Sequence, residues 1–345
     1  MTTDSMMKKA ADTVRVLAVD GVQKANSGHP GMPMGCADFA FTLWHRFLRH
    51  NPGAPEWLGR DRFILSAGHG SMLLYSLLHL FDYDMEIEDL QQFRQWNSKT
   101  PGHPEYGWTP GVEVTTGPLG TGFCTGVGMA VAARQLAARM ENEDLFDQRI
   151  FVLSSDGGMM EGCTHEAASL AGHQKLGNLI AFYDDNQITI EGSTDLAFSE
   201  DVGARFAAYG WQVLRVDGHD GDEISAALED AVAETDRPSL IIGRTTIGYG
   251  SPNMAGGHET HGAPLGEDEV KAVKKNLGFP EDQTFFVPED VRAFCAERIA
   301  ELRASADEWN ERLAAFRKEN PDKAELLDSL VEQTVPETIL ADLLE

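Results

Sequence analysis

Residues 149–162 read RIFVLSSDGGMMEG, an apolar run over 149–154 that breaks into Asp156-Gly157-Gly158. A short run rich in branched and aromatic residues, closed by a turn signal, reads as a strand buried on both faces. Three more such runs follow at 179–184, 212–216 and 239–244, separated by helical patterns at 164–175, 201–209 and 224–233. Strand–helix alternation at this spacing specifies a parallel sheet covered by helices on both faces. The expected fold class is therefore α/β.

Working outward, the upstream sequence has helical patterns at 13–24, 36–47 and 72–80, with a short apolar run at 62–66. A Gly/Pro-rich loop covers 97–122, and a helix is expected over 127–140. A loop that long inside a compact domain is usually functional. Downstream of the last strand a second Gly/Pro/His-rich loop covers 245–266, followed by helical patterns at 267–277, 288–318 and 324–330. We expect an α/β domain over 1–279, a helical extension packed on it over 280–331, and the start of a linker or tail over 332–345.

Composition narrows the function classes. The 345 residues include 28 Lys and Arg against 55 Asp and Glu, a net charge of −27. That excess disfavours nucleic acid and anionic membranes as partners, because both require clustered basic residues. Residues 281–345 alone hold 17 acids and 7 bases, which reads as a solvated helical surface. Cys36, Cys124, Cys163 and Cys295 have no metal-binding spacing. The first nine residues have no export signal, and no stretch reaches about 18 apolar residues. Reduced thiols and a cytoplasmic location are expected.

Two constellations carry chemistry. Asp156 follows one strand and Asn186 the next, and ligands of open α/β sheets bind beyond the carboxyl ends of strands. A carboxylate, an amide oxygen and a backbone carbonyl are hard ligands suited to Mg²⁺ or Ca²⁺, with diphosphate and water completing the shell. Gly157 and Gly158, lacking Cβ, allow close phosphate approach. Asp-Gly alone is only a turn; the paired Asn186 gives it weight. The second constellation is His29, His69, His103 and His261, each flanked by Gly or Pro and so placed on loops. Neutral imidazoles hydrogen-bond sugar hydroxyls and shuttle protons. Zinc is the competing reading, but no HxH or HxxxH spacing supports it. The run TTGPLGTG at 115–122 is weak as a nucleotide signature and plausible as a loop packing on a flat ring. The remaining histidines are read as structural.

Together these segments resemble the transketolase family, specifically its N-terminal, diphosphate-binding half. The resemblance rests on SGHPGMPMG (27–35), SAGHGSMLLYSLLHL (66–80), SKTPGHPE (98–105), TTGPLGTG (115–122), DGGMMEG (156–162), IAFYDDNQITI (180–190) and HGAPLG (261–266). It implies a thiamine diphosphate-binding fold and two-carbon ketol transfer between sugar phosphates, with thiamine diphosphate and a divalent metal, Mg²⁺ or Ca²⁺. It further implies Asp156 and Asn186 as metal ligands through their side chains and Ile188 through its carbonyl. Cofactor contacts fall on His69, Gly117, Leu119, Asp156, Gly157, Glu161, Asn186, Ile190 and His261. The implied catalytic residues are His29, His69, His103 and His261.

Two positions depart from the family pattern, Ser155 where Gly is usual and Met32 where some members have Ala. A full member also carries a pyrimidine-binding domain, whose glutamate activates the cofactor, and a C-terminal domain. The expectation is therefore half an active site, completed by a second chain in a dimer or heterotetramer. Alternatives are a split enzyme for an unusual sugar phosphate, a non-catalytic thiamine diphosphate-binding homologue and, more distantly, a dehydrogenase α-subunit.

Overall fold

The computed structural model describes residues 3–335 and 338–344. Residues 336, 337 and 345 of the expected tail, like residues 1 and 2, lie outside the described residues. The described residues hold seven strands: β1 (Arg62–Leu65), β2 (Ile150–Ser155), β3 (Leu179–Asp185), β4 (Ile188–Thr189), β5 (Gly192–Ser193), β6 (Gln212–Asp217) and β7 (Ser239–Arg244). Five form one sheet in the order β1-β2-β3-β7-β6, every pairing parallel. The apolar run at 62–66 thus supplies an edge strand. The short β4 and β5 pair antiparallel beyond the end of β3.

The central strands are apolar throughout because helices cover both sheet faces, as the alternation of side chains shows. Phe151, Leu153, Ile180, Phe182 and Ile241 face one core with residues of the helices Thr3–Ala25, Gly31–Thr42 and Ser71–Leu80. Ile150, Val152, Leu179, Ala181, Leu240 and Ile242 face the other, with residues of Thr121–Met140, Gly162–His173 and Val202–Ala208. Phe182 stacks on Phe39 at 3.7 Å between ring centroids. A Cβ on Gly243 would lie 2.1 Å from the Phe182 ring, so glycine is what lets that ring lie flat on the sheet.

Three helices start five or more residues earlier than their sequence patterns suggest, at Thr3, Gly31 and Thr121. The first begins at Thr3 because Met7, Ala10 and Ala11 extend its buried face. The helix Thr121–Met140 begins inside the expected loop. Its glycines are close-packing positions, not breakers: a Cβ on Gly122 would sit 2.6 Å from Ser66 Cα, and one on Gly126 would sit 2.5 Å from Val152.

The long helix Glu289–Glu319 contributes Val291, Cys295 and Ile299 to the first core. Further along it, Trp309 and Phe316 form a separate cluster with Trp57, Met140 and Phe146. The first helix is clasped by this end of the chain. Lys9 pairs with Asp290 at 2.6 Å, and buried Asp20 pairs with Lys274 at 2.6 Å while accepting from the Phe285 amide at 2.7 Å. Among the described residues, no helix is long and apolar enough to cross a membrane.

Candidate functional site

β2 and β3 are neighbours, so the residues that follow them emerge together at the carboxyl edge of the sheet. Asp156 opens the short helix Asp156–Met160 and is buried. Its Oδ1 accepts from the Tyr183 hydroxyl at 2.6 Å and its Oδ2 from the Gln187 amide at 3.2 Å. The Asn186 Oδ1 accepts from the Ile188 amide at 2.9 Å, and its Nδ2 donates to Asp184 at 2.8 Å. Asp184 is wholly buried and also accepts from the Thr245 hydroxyl.

Burial is the main pressure on Asp156, and with the neighbouring charges of Asp184 and Asp185 it raises the carboxyl to about 7. A divalent cation is the species that relieves such crowding. Among the described residues no group of three His, Cys, Asp or Glu side chains is gathered for a metal. The set here is different in kind. It offers one carboxylate, one amide oxygen and a backbone carbonyl, with lone pairs left over after the hydrogen bonds above. These are hard oxygens that suit Mg²⁺ or Ca²⁺ and need outside oxygens to complete the shell.

The four histidines converge, His29 and His103 from loops as expected, but His69 from the one-turn helix Gly68–Gly70 and His261 from the short helix Glu259–Gly262. The His29 ring lies 5.2 Å from His69 and 5.6 Å from His261, and His69 stacks on His261 at 5.2 Å. His103 is exposed at the rim, placed so that a Cβ on Gly117 would touch its ring at 3.4 Å. Desolvation holds His69 down to about 3 and His29 to about 4, with the neighbouring imidazoles adding to the effect. His103 and His261 are also lowered by desolvation, and His103 further by Arg94. These rings are neutral near pH 7, which lets each both donate and accept.

One loop joins the two groups. Gly117 meets His103 at contact distance, while Leu119 lies against Gly157 and Gly120 backs on Glu161 so closely that a further carbon would sit under 3.0 Å from them. Gly68 packs equally tightly on Thr116 and the Gly117 amide, and the buried Thr116 hydroxyl has no hydrogen-bond partner there. Glu161 is exposed and Ile190, beyond β4, is 69% exposed. Beside the histidines an open groove of about 590 Å³ is lined by Arg94, Trp96, His103, Glu105 and Trp108. The arrangement offers a cradle for a diphosphate, a cation position and a floor of neutral proton carriers.

Sequence reading missed four residues that organise this site. Tyr183, Asp184 and Thr245 hold the acidic corner. The Asp184-Asp185 doublet was the available signal, since paired acids at the end of an apolar strand need partners. Arg94 donates to His29 Nδ1 at 3.3 Å and to the Ser27 hydroxyl at 2.8 Å. A guanidinium only donates, so His29 Nδ1 accepts and its proton resides on Nε2. Nothing in the local pattern around Arg94 marks it. The histidines read as structural stay outside the cluster: His45 stacks on Phe294 at 4.2 Å, and His219 pairs with Asp38 at 3.1 Å.

Residues 6–336 match the family model described as transketolase, thiamine diphosphate binding domain. The transketolase of Geobacillus stearothermophilus is 52% identical over 96% of this chain and 50% of its own length. The chloroplastic transketolase of Zea mays is 52% identical over 97% of this chain and 50% of its own length. Among solved structures, transketolase from Leishmania mexicana superposes with a TM-score of 0.95 at 40% identity, covering 98% of this chain and 50% of that one. A Pichia stipitis transketolase in complex with sedoheptulose-7-phosphate gives a TM-score of 0.94 at 47% identity, covering 96% and 50%. The chain spans about half the length of the curated relatives it matches.

Proposed function

The chain belongs to the transketolase family, matching its thiamine diphosphate-binding domain, and from that premise we propose that it serves as the N-terminal half of a transketolase. It transfers a two-carbon ketol unit from a ketose phosphate to an aldose phosphate, once pyrimidine-binding and C-terminal domains on a second chain complete the site. The complete assembly is a dimer or heterotetramer in the cytoplasm, with neither nucleic acid nor membrane as a partner. The α/β portion is residues 1–279 and the helical extension 280–331. The observation that carries this reading is the convergence of His29, His69 and His261 beside the acidic ends of β2 and β3.

Bound thiamine diphosphate supplies a thiazolium nucleophile and an electron sink. The protein's own residues do the rest. Asp156 and Asn186 hold the divalent metal through side-chain oxygens and Ile188 through its carbonyl. Gly157 admits the diphosphate closely, while Gly117, Leu119, Glu161 and Ile190 line the cofactor and His69 and His261 face the diphosphate and reacting centre. His29, His103 and His261 hydrogen-bond the hydroxyls of the donor sugar and move protons. His29 acts through Nε2, since Arg94 occupies Nδ1.

The sugar-phosphate class is supported by the relative solved with sedoheptulose-7-phosphate and by the groove beside His103. The test combines the chain with the second half of a related transketolase, thiamine diphosphate and Mg²⁺. Ketol transfer from a ketose phosphate is expected. Metal-dependent cofactor binding with no transfer from any ketose phosphate would replace this reading with that of a non-catalytic binder.

A further inference from the structure

Cys36 and Cys295 are buried, whereas Cys163 is exposed and Cys124 half-buried. These last two lie on different helices, Thr121–Met140 and Gly162–His173, and stand 39 residues apart in sequence. The fold brings them together. The Cys124 thiol donates to the Cys163 carbonyl at 3.4 Å. The Cys163 sulfur rests against the turn at Gly120, where a Cβ would lie 2.8 Å from it and 2.9 Å from the Glu161 Cβ. Neither thiol has a role in the function proposed above.

We propose that Cys124 and Cys163 form a dithiol modification site that exchanges with low-molecular-weight disulfides to give an internal disulfide. Exposed Cys163 enters first. Its thiolate attacks one sulfur of the reagent disulfide, forming a mixed disulfide and releasing the other half as thiolate. Cys124 then loses its proton to solvent and attacks the Cys163 sulfur, displacing the second half. Two electrons and two protons leave the protein, and two molecules of the small thiol are produced. Burial and the neighbouring sulfur raise the Cys124 thiol to about 11, which suits it to the second, intramolecular step, where proximity compensates for a low thiolate fraction. The bond forms beside Gly120 and Glu161, so the modification sits on the wall of the site.

The test treats the reduced full chain with oxidised glutathione, traps remaining thiols by alkylation, and reads intact mass and a peptide map. The expected product has lost two hydrogens and yields a peptide linked through Cys124 and Cys163, while Cys36 and Cys295 alkylate only after unfolding. Cys124→Ser is expected to stall with a glutathionyl group on Cys163. Cys163→Ser is expected to take up none. A wild-type chain that stops at the mixed disulfide, or leaves both thiols free, overturns the proposal. An adduct on Cys124 in Cys163→Ser overturns the assignment of Cys163 as the entering thiol.

Discussion

Asp156 and Asn186 follow the ends of two hydrogen-bonded strands and Ile188 opens the next, short strand, whereas His29, His69, His103 and His261 come from four segments scattered along the chain. The acidic corner is held in place by the sheet, through backbone amides and the hydroxyls of Tyr183 and Thr245. The histidine cluster is held by close backbone approaches at Gly68 and Gly117 and by one guanidinium. Desolvation acts on both, with opposite sign: it raises the carboxyls and lowers the imidazoles. Each region is driven toward neutrality, but the consequence differs. A neutral imidazole is ready to donate and accept. A crowded carboxylate calls for a cation.

That contrast can be broken most severely at Asp156. Asp156→Ala removes the only carboxylate of the proposed donor set. Metal-dependent thiamine diphosphate affinity, measured by calorimetry, is expected to fall by more than the ~100-fold that loss of an outer partner costs. Unchanged affinity would show that the acidic corner is not a cation site.

The second test is acid. An unfolded imidazole has a pKa of about 6.5, while His29 is held to about 4 and His69 and the core residue His50 to about 3. Their folded values are depressed, so the unfolded chain takes up protons first as pH falls. The contribution of these groups is complete above pH 6.5 and is lost on the way down to pH 4 and below. His50, buried against Tyr83, alone accounts for about 2 kcal/mol of lost stability at pH 5. Urea unfolding at pH 7 and pH 5 is expected to reveal this slope, and His50→Leu to flatten it. Nitrogen NMR of the His29 and His69 rings is expected to show no titration between pH 8 and 5. Midpoints near 6.5 would remove the distinction between the cluster and solvent-facing histidines.

Smaller effects sharpen the contrast. Asp184→Asn leaves the Asn186 amide poorly oriented and is expected to weaken Mg²⁺-dependent cofactor binding by about 10–100-fold, with the fold intact by circular dichroism. Arg94→Met frees His29 Nδ1. The Nε2-protonated fraction is then expected to drop in the NMR spectrum, and ketol transfer by the completed enzyme to fall by about tenfold. A tautomer unchanged in Arg94→Met would confine Arg94 to packing.

The sheet was legible because its central strands are short apolar runs, and the strand ends could be placed to within a residue; the run at 212–216, expected to be buried as well, is instead the second edge strand, with only Val216 buried and Arg215 exposed. The start of Thr121–Met140 was not legible. Gly120, Gly122 and Gly126 look like loop residues in sequence, and their reason, contact with Glu161, Ser66 and Val152 respectively, lies across the fold. The site residues with polar side chains next to Gly or Pro were legible one by one. Their convergence was not, because loop closure over such separations leaves no periodic trace. Arg94 escaped for the same reason, its partner His29 being 65 positions away.

The clasp on the first helix bears on how the chain is made. Thr3–Ala25 leaves the ribosome well before its partners, and Asp20 waits for an amide 265 positions downstream. At about 5–20 residues per second, that is roughly 15–50 s of synthesis. Throughout that interval the helix has a carboxylate without its ammonium partner and apolar faces without a closed core. A nascent chain paused before Lys274 and Phe285 is accordingly a client for holding chaperones, and its first helix is among the last parts of the domain to be finished.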